Sequence, residues 1–246
     1  MSEERKTIYL CLAHMSEDGM EQKYVKEAFD TNWVVPMGPN VNAFEQNLAD
    51  FANDNRDGSK LDRKVVCLSA GTAAVHLALL ACGVGQGDEV IVQSFTFCAS
   101  SHPITYLGAT PVFVDSEPET WNMDPVLLEQ AILDRKAVTG RYPKAIVPVA
   151  LYGMPYQIDR IMAIADRYGI PVVEDAAEGL GSRFNGQVLG TFGKFGVLSF
   201  NGNKMITTSG GGALICRNGE DANTIMWYAT QARDAYPYYE HTAIGY

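Results

Sequence analysis

The chain has few positive charges, few histidines and no long apolar run, and each shortage excludes a class of protein. Its 246 residues contain 19 Lys and Arg against 29 Asp and Glu, a net charge of −10. A nucleic-acid or anionic-membrane binder needs the opposite field. No stretch reaches the roughly 18 consecutive apolar residues of a membrane span, and residues 1–6 are too charged to begin a signal peptide. We therefore expect a cytoplasmic protein with no nucleic-acid or membrane partner.

Metal and disulfide scaffolds are disfavoured by how the cysteines and histidines are distributed. Only four histidines occur, and the five cysteines stand singly with no CxxC pair: Cys11, Cys67, Cys82, Cys98 and Cys216. An odd number of scattered cysteines is typical of reduced thiols rather than of a disulfide framework or a zinc site. We expect free thiols and no metal site.

What is present is an apolar fraction of 47%, enough to bury a globular core. Val- and Ile-rich runs alternate with helical patterns between residues 64 and 217, and the runs are nearly continuous, as in strands buried on both faces. This alternation predicts an α/β fold with a mostly parallel sheet flanked by helices. Strands are predicted at 65–69, 89–93, 111–115, 145–151, 170–174, 196–200 and 213–217, and helices at 20–29, 43–52, 73–82, 98–106, 125–134, 159–167 and 221–232. The strands 196–200 and 213–217, with no helix between them, are expected to form a hairpin that closes one side of the sheet.

Two turns follow predicted strands at the edge where open α/β sheets place ligands. The small residues 69–72 (Ser-Ala-Gly-Thr) open a helix, where free backbone N–H groups and the helix dipole favour a phosphate. The same turn serves equally well as a plain helix cap. Asp175, in the segment Glu174-Asp175-Ala176, suits either a hydrogen bond from a protonated ring nitrogen or a helix N-cap.

Two further motifs carry an amine and an aromatic ring. Lys204 lies in an apolar, glycine-containing segment, where desolvation favours a Schiff-base amine, although a solvated loop lysine is the alternative. Phe97, in residues 94–97 (Ser-Phe-Thr-Phe), is placed either to stack on a flat cofactor ring or to fill the core. The glycines 210–212 predict a close backbone approach or a bulge.

Taken together, the motifs supply a phosphate cradle, a stacking ring, a carboxylate for a ring nitrogen and an amine for an aldehyde. These are the four things that pyridoxal 5′-phosphate needs from a protein. With them the sequence resembles the DegT/DnrJ/StrS family of sugar aminotransferases, within the fold-type-I PLP enzymes. The resemblance covers essentially the whole chain, and its matching segments are 38–39, 44–45, 69–72, 87–90, 94–97, 151–153, 174–177, 181–182, 199–200, 204 and 211–212.

The resemblance implies a role for each motif residue, with pyridoxal 5′-phosphate as the cofactor. Lys204 is implied to be the Schiff-base lysine and proton shuttle, Asp175 the partner of the ring nitrogen, and Phe97 the stacking aromatic. The implied phosphate contacts are Gly71, Thr72 and Ser199. Glu178 stands near the cofactor's O3′, where the family usually has Gln, and its carboxylate would repel an ionised O3′ unless it is protonated or turned away.

The activity implied by the resemblance is transfer of an amino group from L-glutamate to a nucleotide-linked keto sugar. A 4-keto-6-deoxy sugar is favoured, with a UDP-linked N-acetyl type as one form, and the product would serve cell-surface polysaccharide or glycan biosynthesis. The alternative is a catalytically idle PLP-fold regulatory or structural protein. A Rossmann oxidoreductase would need a GxGxxG turn after the first strand, which the sequence lacks.

The predicted organisation has three parts: an N-terminal helical segment (1–60), a PLP-binding large domain (61–235) and the start of a connection (236–246). Because family members are longer, we expect a small C-terminal domain that is absent from this chain. Fold-type-I relatives also imply a homodimer with active sites at the subunit boundary. The aromatic segment Tyr236-Pro237-Tyr238-Tyr239 suits such an interface.

Overall fold

The computed structural model describes residues 14–246 and places seven helices and nine strands in them. The helices are α1 (Met20–Asp30), α2 (Pro39–Asn53), α3 (Gly71–Ala81), α4 (His102–Tyr106), α5 (Pro125–Thr139), α6 (Ile158–Tyr168) and α7 (Gly219–Ala229). The strands are β1 (Lys64–Leu68), β2 (Glu89–Gln93), β3 (Thr110–Val114), β4 (Ala145–Val147), β5 (Val173–Asp175), β6 (Arg183–Phe184), β7 (Gln187–Val188), β8 (Phe195–Ser199) and β9 (Gly212–Cys216). Two 3-10 turns cover Cys98–Ser100 and Leu151–Gly153.

Seven of the strands form two sheets that meet at β4 and β5. One sheet has the order β3-β2-β4 and the other β1-β9-β8-β5, and two parallel bridges, Ile146 with Val172 and Val149 with Asp175, connect them. The pairs β2–β3, β2–β4 and β5–β8 are parallel, so the prediction of a mostly parallel sheet flanked by helices is confirmed. Strand β9 is antiparallel to both of its neighbours.

The position predicted for the hairpin is wrong. Strands β8 and β9 do pair antiparallel, but β1 pairs with the far side of β9 and is the outer strand. Order along the chain does not fix order across a sheet, and here the glycine run permits the observed order. A Cβ on Gly212 would lie 2.3 Å from the carbonyl carbon of Ala70, so only glycine lets these backbones meet. The predicted close backbone approach of residues 210–212 is confirmed.

Other differences from the predicted elements have local causes. A single helix over 98–106 would place Pro103 in its interior, where a proline ring clashes with the preceding turn. The chain instead makes a 3-10 turn followed by α4, whose first turn accepts the proline. The strand predicted at 145–151 is shorter in the structure and ends at Val147. The chain beyond it leads into the turn Leu151–Gly153. The β6–β7 hairpin was not predicted, although its Asn185-Gly186 turn is a strong hairpin signal.

The core has two layers, one on each side of the sheet. Helices α2, α5 and α6 bury Leu48, Leu128, Ile132 and Ile161 on one side, and helices α3, α4 and α7 bury Val75, Leu79, Ile104 and Ile225 on the other. Neighbouring strand residues go to opposite layers, Ile91 to the first and Val90 to the second, as the period of a strand requires. Helix α1 buries none of its residues.

The cysteines in the described residues are four free thiols, as predicted, and Cys11 lies outside these residues. Burial raises the pKa of the Cys67 and Cys82 thiols to about 12. Within residues 14–246, no group of three or more His, Cys, Asp or Glu side chains could hold a metal ion. Among the helices placed in that range, none has the length and apolar character to cross a bilayer.

Candidate active site

A cavity of about 630 Å³ lies at the carboxyl ends of β5 and β8, beside the start of α3. All seven predicted site residues line it, although they are widely separated along the chain: Gly71, Thr72, Phe97, Asp175, Glu178, Ser199 and Lys204. The mostly parallel sheet produces this convergence, because its strand ends share one edge, where such folds place ligands.

The first wall of the cavity is the N-terminus of α3, which begins at Gly71 directly after the β1 turn. Ala70 precedes the helix and gives it no side-chain cap, so the plain helix-cap interpretation loses its support. A Cβ on Gly71 would lie 3.0 Å from Cβ and 3.3 Å from Oγ of Ser199. The absence of a side chain at Gly71 therefore brings the Ser199 hydroxyl beside the first backbone N–H groups of the helix. This donor set matches an anion such as a phosphate.

The floor of the cavity holds a buried carboxylate. Asp175 ends β5 and is 6% exposed. Its Oδ2 accepts a hydrogen bond from Ser100 Oγ at 2.6 Å, and its Oδ1 accepts one from the Ala177 N–H at 3.2 Å. Burial raises the pKa of Asp175, while the Ser100 hydroxyl, the Ala177 N–H and the Lys204 ammonium act to lower it. Residues 176–182 form turns rather than a helix, so the helix N-cap interpretation of Asp175 is wrong.

Lys204 reaches the cavity from the loop between β8 and β9. Its side chain is only 16% exposed, and its Nζ lies 3.5 Å from Oε1 of Glu178, so the solvated-lysine interpretation is wrong. The other oxygen of Glu178 accepts a hydrogen bond from the Tyr152 backbone N–H at 2.6 Å. The Glu178 carboxylate is therefore held between Lys204 and the Leu151–Gly153 turn.

Aromatic rings stand at the mouth of the cavity. Phe97 is 74% exposed, so the core interpretation of its ring is wrong, and Tyr152 is 68% exposed. Tyr152 has φ +52° and ψ +25°, the left-handed conformation that a residue with a bulky side chain seldom adopts. Both residues line the cavity.

Sequence reasoning missed the residues that support this site. Ser100, the hydroxyl donor to Asp175, is buried in a turn that no motif marked. Gln93 and Asn122 are completely buried amides behind the cavity wall. The left-handed backbone of Tyr152 likewise gave no signal in the sequence.

Glu174 is the neighbour of Asp175 but does not line the cavity, because successive strand residues face opposite ways. Its carboxylate accepts hydrogen bonds from the Tyr156 hydroxyl and from the backbone N–H groups of Gly190, Phe192 and Gly193. Burial raises the pKa of Glu174, and these four donors act to lower it. Glu174 thus anchors the loop ahead of β8, the strand that carries Ser199.

The side chains present fit pyridoxal phosphate. The helix start with its hydroxyl matches a phosphate, and the exposed ring matches a flat aromatic ring. The buried carboxylate matches a ring nitrogen, and the sheltered amine matches an aldehyde. The match rests on the hydrogen-bonding groups of these residues and on the close approach of Gly71 to Ser199. Because Gly71 has no Cβ, the start of α3 stays open toward the Ser199 side chain.

Comparison with known proteins also indicates a pyridoxal-phosphate-dependent aminotransferase family. Residues 15–246 match the model of the DegT/DnrJ/EryC1/StrS aminotransferase family. The chain is 48% identical over 241 residues to "Putative pyridoxal phosphate-dependent aminotransferase EpsN" of Bacillus subtilis, covering 98% of this chain and 59% of that protein. It is 39% identical over 229 residues to GDP-perosamine synthase of Caulobacter vibrioides, covering 93% and 58%.

A solved structure shows that the likeness extends to the fold. The aminotransferase TlmJ from Streptoalloteichus hindustanus superposes with a TM-score of 0.84 and 30% identity, over 98% of this chain and 61% of that one. The chain therefore spans about 60% of the length of the relatives that it matches.

Proposed function

The chain belongs to the DegT/DnrJ/EryC1/StrS aminotransferase family, and we propose that the protein is a pyridoxal-phosphate-dependent nucleotide-sugar aminotransferase. It moves an amino group from L-glutamate to a nucleotide-linked keto sugar. The observation that carries the proposal is the single cavity that collects a sheltered lysine, a buried aspartate and an anion-binding helix start. When bound there, pyridoxal phosphate supplies an aldehyde for the amino group and a ring that withdraws the charge left by a departing proton.

The chain's own residues bind and orient this cofactor. The backbone N–H groups at Gly71 and Thr72, with the Ser199 hydroxyl, hold its phosphate, and the Phe97 ring covers one face. The Asp175 carboxylate accepts a hydrogen bond from the ring nitrogen and keeps that nitrogen protonated, because a buried anion favours a cation beside it. The raised pKa of Asp175 falls when such a cation is adjacent, since the positive partner compensates the cost of burying the charge.

Lys204 performs the proton transfers. With the cofactor bound, its Nζ would hold the aldehyde carbon and, once displaced by the incoming amino donor, would accept the donor's α-proton and later donate it to the cofactor carbon that had carried the lysine. Glu178 lies 3.5 Å from this amine and is fixed from the other side by the Tyr152 N–H. We propose that Glu178 orients the amine and that the Tyr152 bond turns the carboxylate away from the cofactor's O3′.

The finer assignments follow from the family resemblance. The proposed acceptor is a 4-keto-6-deoxy sugar linked to a nucleotide, with a UDP-linked N-acetyl sugar as one form, and the product enters cell-surface polysaccharide or glycan synthesis. The similarity to a relative named GDP-perosamine synthase supports a nucleotide-linked sugar as the substrate class. We propose a cytoplasmic homodimer in which the partner completes the phosphate site.

The test is to incubate the protein at its full natural length with pyridoxal phosphate, L-glutamate and a panel of nucleotide keto sugars. Mass spectrometry should detect 2-oxoglutarate and one aminated sugar nucleotide. Lys204→Ala should abolish both products, whereas Lys64→Ala, an exposed lysine paired with Asp62, should change neither. Cofactor binding without any aminated product would favour the idle regulatory alternative, and no cofactor binding would refute the proposal.

A further inference from the structure

Behind the cavity wall, two completely buried amide side chains connect three loops. Gln93 is the last residue of β2, and Asn122 lies in the loop between β3 and α5; neither has measurable exposure. Gln93 Nε2 donates to Asn122 Oδ1 at 3.3 Å. Burying an amide is costly unless its polar atoms find partners, so the bonds of this pair indicate what it holds in place.

Asn122 holds the turn that carries Tyr152. Its Oδ1 accepts a hydrogen bond from the Leu151 N–H at 3.1 Å, and its Nδ2 donates to the Met154 carbonyl at 3.0 Å. One side chain thus bridges the two ends of the turn Leu151–Gly153. Inside that turn Tyr152 is left-handed, and Gly153 is so close to the Glu178 backbone that a Cβ would lie 2.9 Å from its carbonyl oxygen.

Gln93 holds the segment that precedes the stacking ring. Its Nε2 also donates to the Phe95 carbonyl at 2.9 Å, two residues before Phe97. Its Oε1 accepts hydrogen bonds from the Met123 N–H at 2.8 Å and the Val149 N–H at 3.4 Å. The amide pair therefore fixes both the aromatic side of the cavity mouth and the backbone leading into the Tyr152 turn.

A continuous series of bonds runs from this pair to the reactive lysine. Asn122 holds the turn, the Tyr152 N–H donates to Glu178 at 2.6 Å, and Glu178 lies 3.5 Å from Lys204 Nζ. A non-glycine residue in a left-handed conformation is strained, and it persists only where the surrounding structure holds it. The hydrogen bonds of Asn122 to the two ends of the turn hold Tyr152 in this conformation.

We propose that Gln93 and Asn122 are positioning residues of this site: by fixing the Leu151–Gly153 turn, they hold the Tyr152 N–H against Glu178 and thereby set the position of the Lys204 amine. Neither amide lines the cavity, so both act through other residues. The inference rests on the proposed function for the role of Lys204, and it deepens that function by naming what places the amine.

Asn122→Leu tests the proposal, because it keeps the number and branching of the side-chain heavy atoms and removes every polar bond of the side chain. Asn53→Leu is the matched control. Asn53 also bridges a backbone N–H and a carbonyl, those of Arg63, at 2.8 and 3.1 Å, but it joins α2 to β1 away from the cavity. Both variants should lower the melting temperature, because both leave backbone groups without partners.

The variants should differ in how they take up the cofactor. Titration with pyridoxal phosphate, followed by absorbance and by borohydride trapping on Lys204, should show at least tenfold weaker uptake in Asn122→Leu. Asn53→Leu should stay within about threefold of the unaltered protein. Equal uptake by the two variants would overturn the positioning role.

Amide hydrogen exchange in the unaltered protein decides the question if Asn122→Leu does not fold. The Leu151 and Tyr152 amides should exchange at least tenfold more slowly than in an unstructured chain, and Glu178→Ala should remove the protection of Tyr152 alone. Exchange of both at the unstructured rate would refute the bonded turn. If the unaltered protein takes up no pyridoxal phosphate, the proposed function fails, while this exchange measurement still tests the positioning pair.

Discussion

Replacing Asp175 with Asn should separate binding of the cofactor from its activation, because the structure can accept the amide without rearrangement. Asp175 accepts from Ser100 Oγ at 2.6 Å, and Ser100 Oγ lies 2.8 Å from Thr96 Oγ1, where either hydroxyl can donate. In Asp175→Asn the bonds can reverse: the new amide donates to Ser100, and Ser100 donates to Thr96. We therefore expect the variant to fold with a free energy of unfolding within about 1 kcal/mol of the original.

Asp175→Asn should raise the activation barrier of the reaction by much more than it changes the free energy of unfolding. A charged carboxylate facing a protonated ring nitrogen forms a bond roughly twice as strong as a neutral amide does, a difference of about 1.5 kcal/mol. The buried charge that keeps the nitrogen protonated is also lost, and we take the two effects together as about 3 kcal/mol. That corresponds to a rate about 150-fold lower in the step that removes the α-proton of glutamate.

The assay is a single turnover with L-glutamate, followed by the change in cofactor absorbance after the variant has been saturated with pyridoxal phosphate. The variant should still bind pyridoxal phosphate, while the rate of the single turnover with L-glutamate should fall. A rate within about tenfold of the original, a barrier change of only ~1.4 kcal/mol, would refute the assignment of Asp175 to the ring nitrogen.

The pH dependence of stability provides an independent test on the cofactor-free protein. Burial raises the pKa of Asp175 above its ordinary 3.8 in the folded state, so the folded form binds the proton more tightly than the unfolded form does. Stability should therefore fall as pH rises from about 3.8 through the raised pKa. Asp175→Asn has no such proton to lose. Its melting temperature relative to the original should rise across this window, and a constant difference would contradict the raised pKa.

Four further outcomes are expected. Borohydride reduction of the cofactor-loaded protein should label Lys204 alone, as peptide mapping would show, and a label on another lysine would contradict its assignment. Glu174→Gln should lower the free energy of unfolding by about 2–4 kcal/mol in chemical denaturation, because an amide cannot accept all four of its buried hydrogen bonds; a change below about 1 kcal/mol would count against this anchor. Gly212→Ala should impair folding, measured by circular dichroism, because its Cβ would lie 2.3 Å from the Ala70 carbonyl carbon; a normal spectrum and melting temperature would show that the approach is looser. Light scattering should find a dimer of the full natural length that binds pyridoxal phosphate tightly, whereas residues 1–246 alone should bind it weakly; a fully active monomer of residues 1–246 would refute both expectations.

The sequence by itself determined most of the helices and strands and the residue types that line the cavity. The continuous Val and Ile runs specified the buried strands, and small residues after β1 specified a helix start that is open to an anion. Asp175 and Lys204 became candidates because each follows a predicted strand, and parallel strands bring their carboxyl ends to one edge. The combination of motifs and the family resemblance then implied their roles. These signals are local: a strand period, a turn composition or a residue type next to a strand end is readable within a few positions.

Only the tertiary structure decided the order of the strands and the support of the site. Strand β1 pairs with the outer side of β9, and this pairing requires the close approach of Gly212 to Ala70, a steric fact between segments far apart in sequence. Asn122 meets the Leu151 N–H across 29 positions, and Glu178 turns toward Tyr152 because a left-handed turn presents an N–H there. Hydrogen bonds of this kind depend on where the fold places two backbones, which no local pattern encodes.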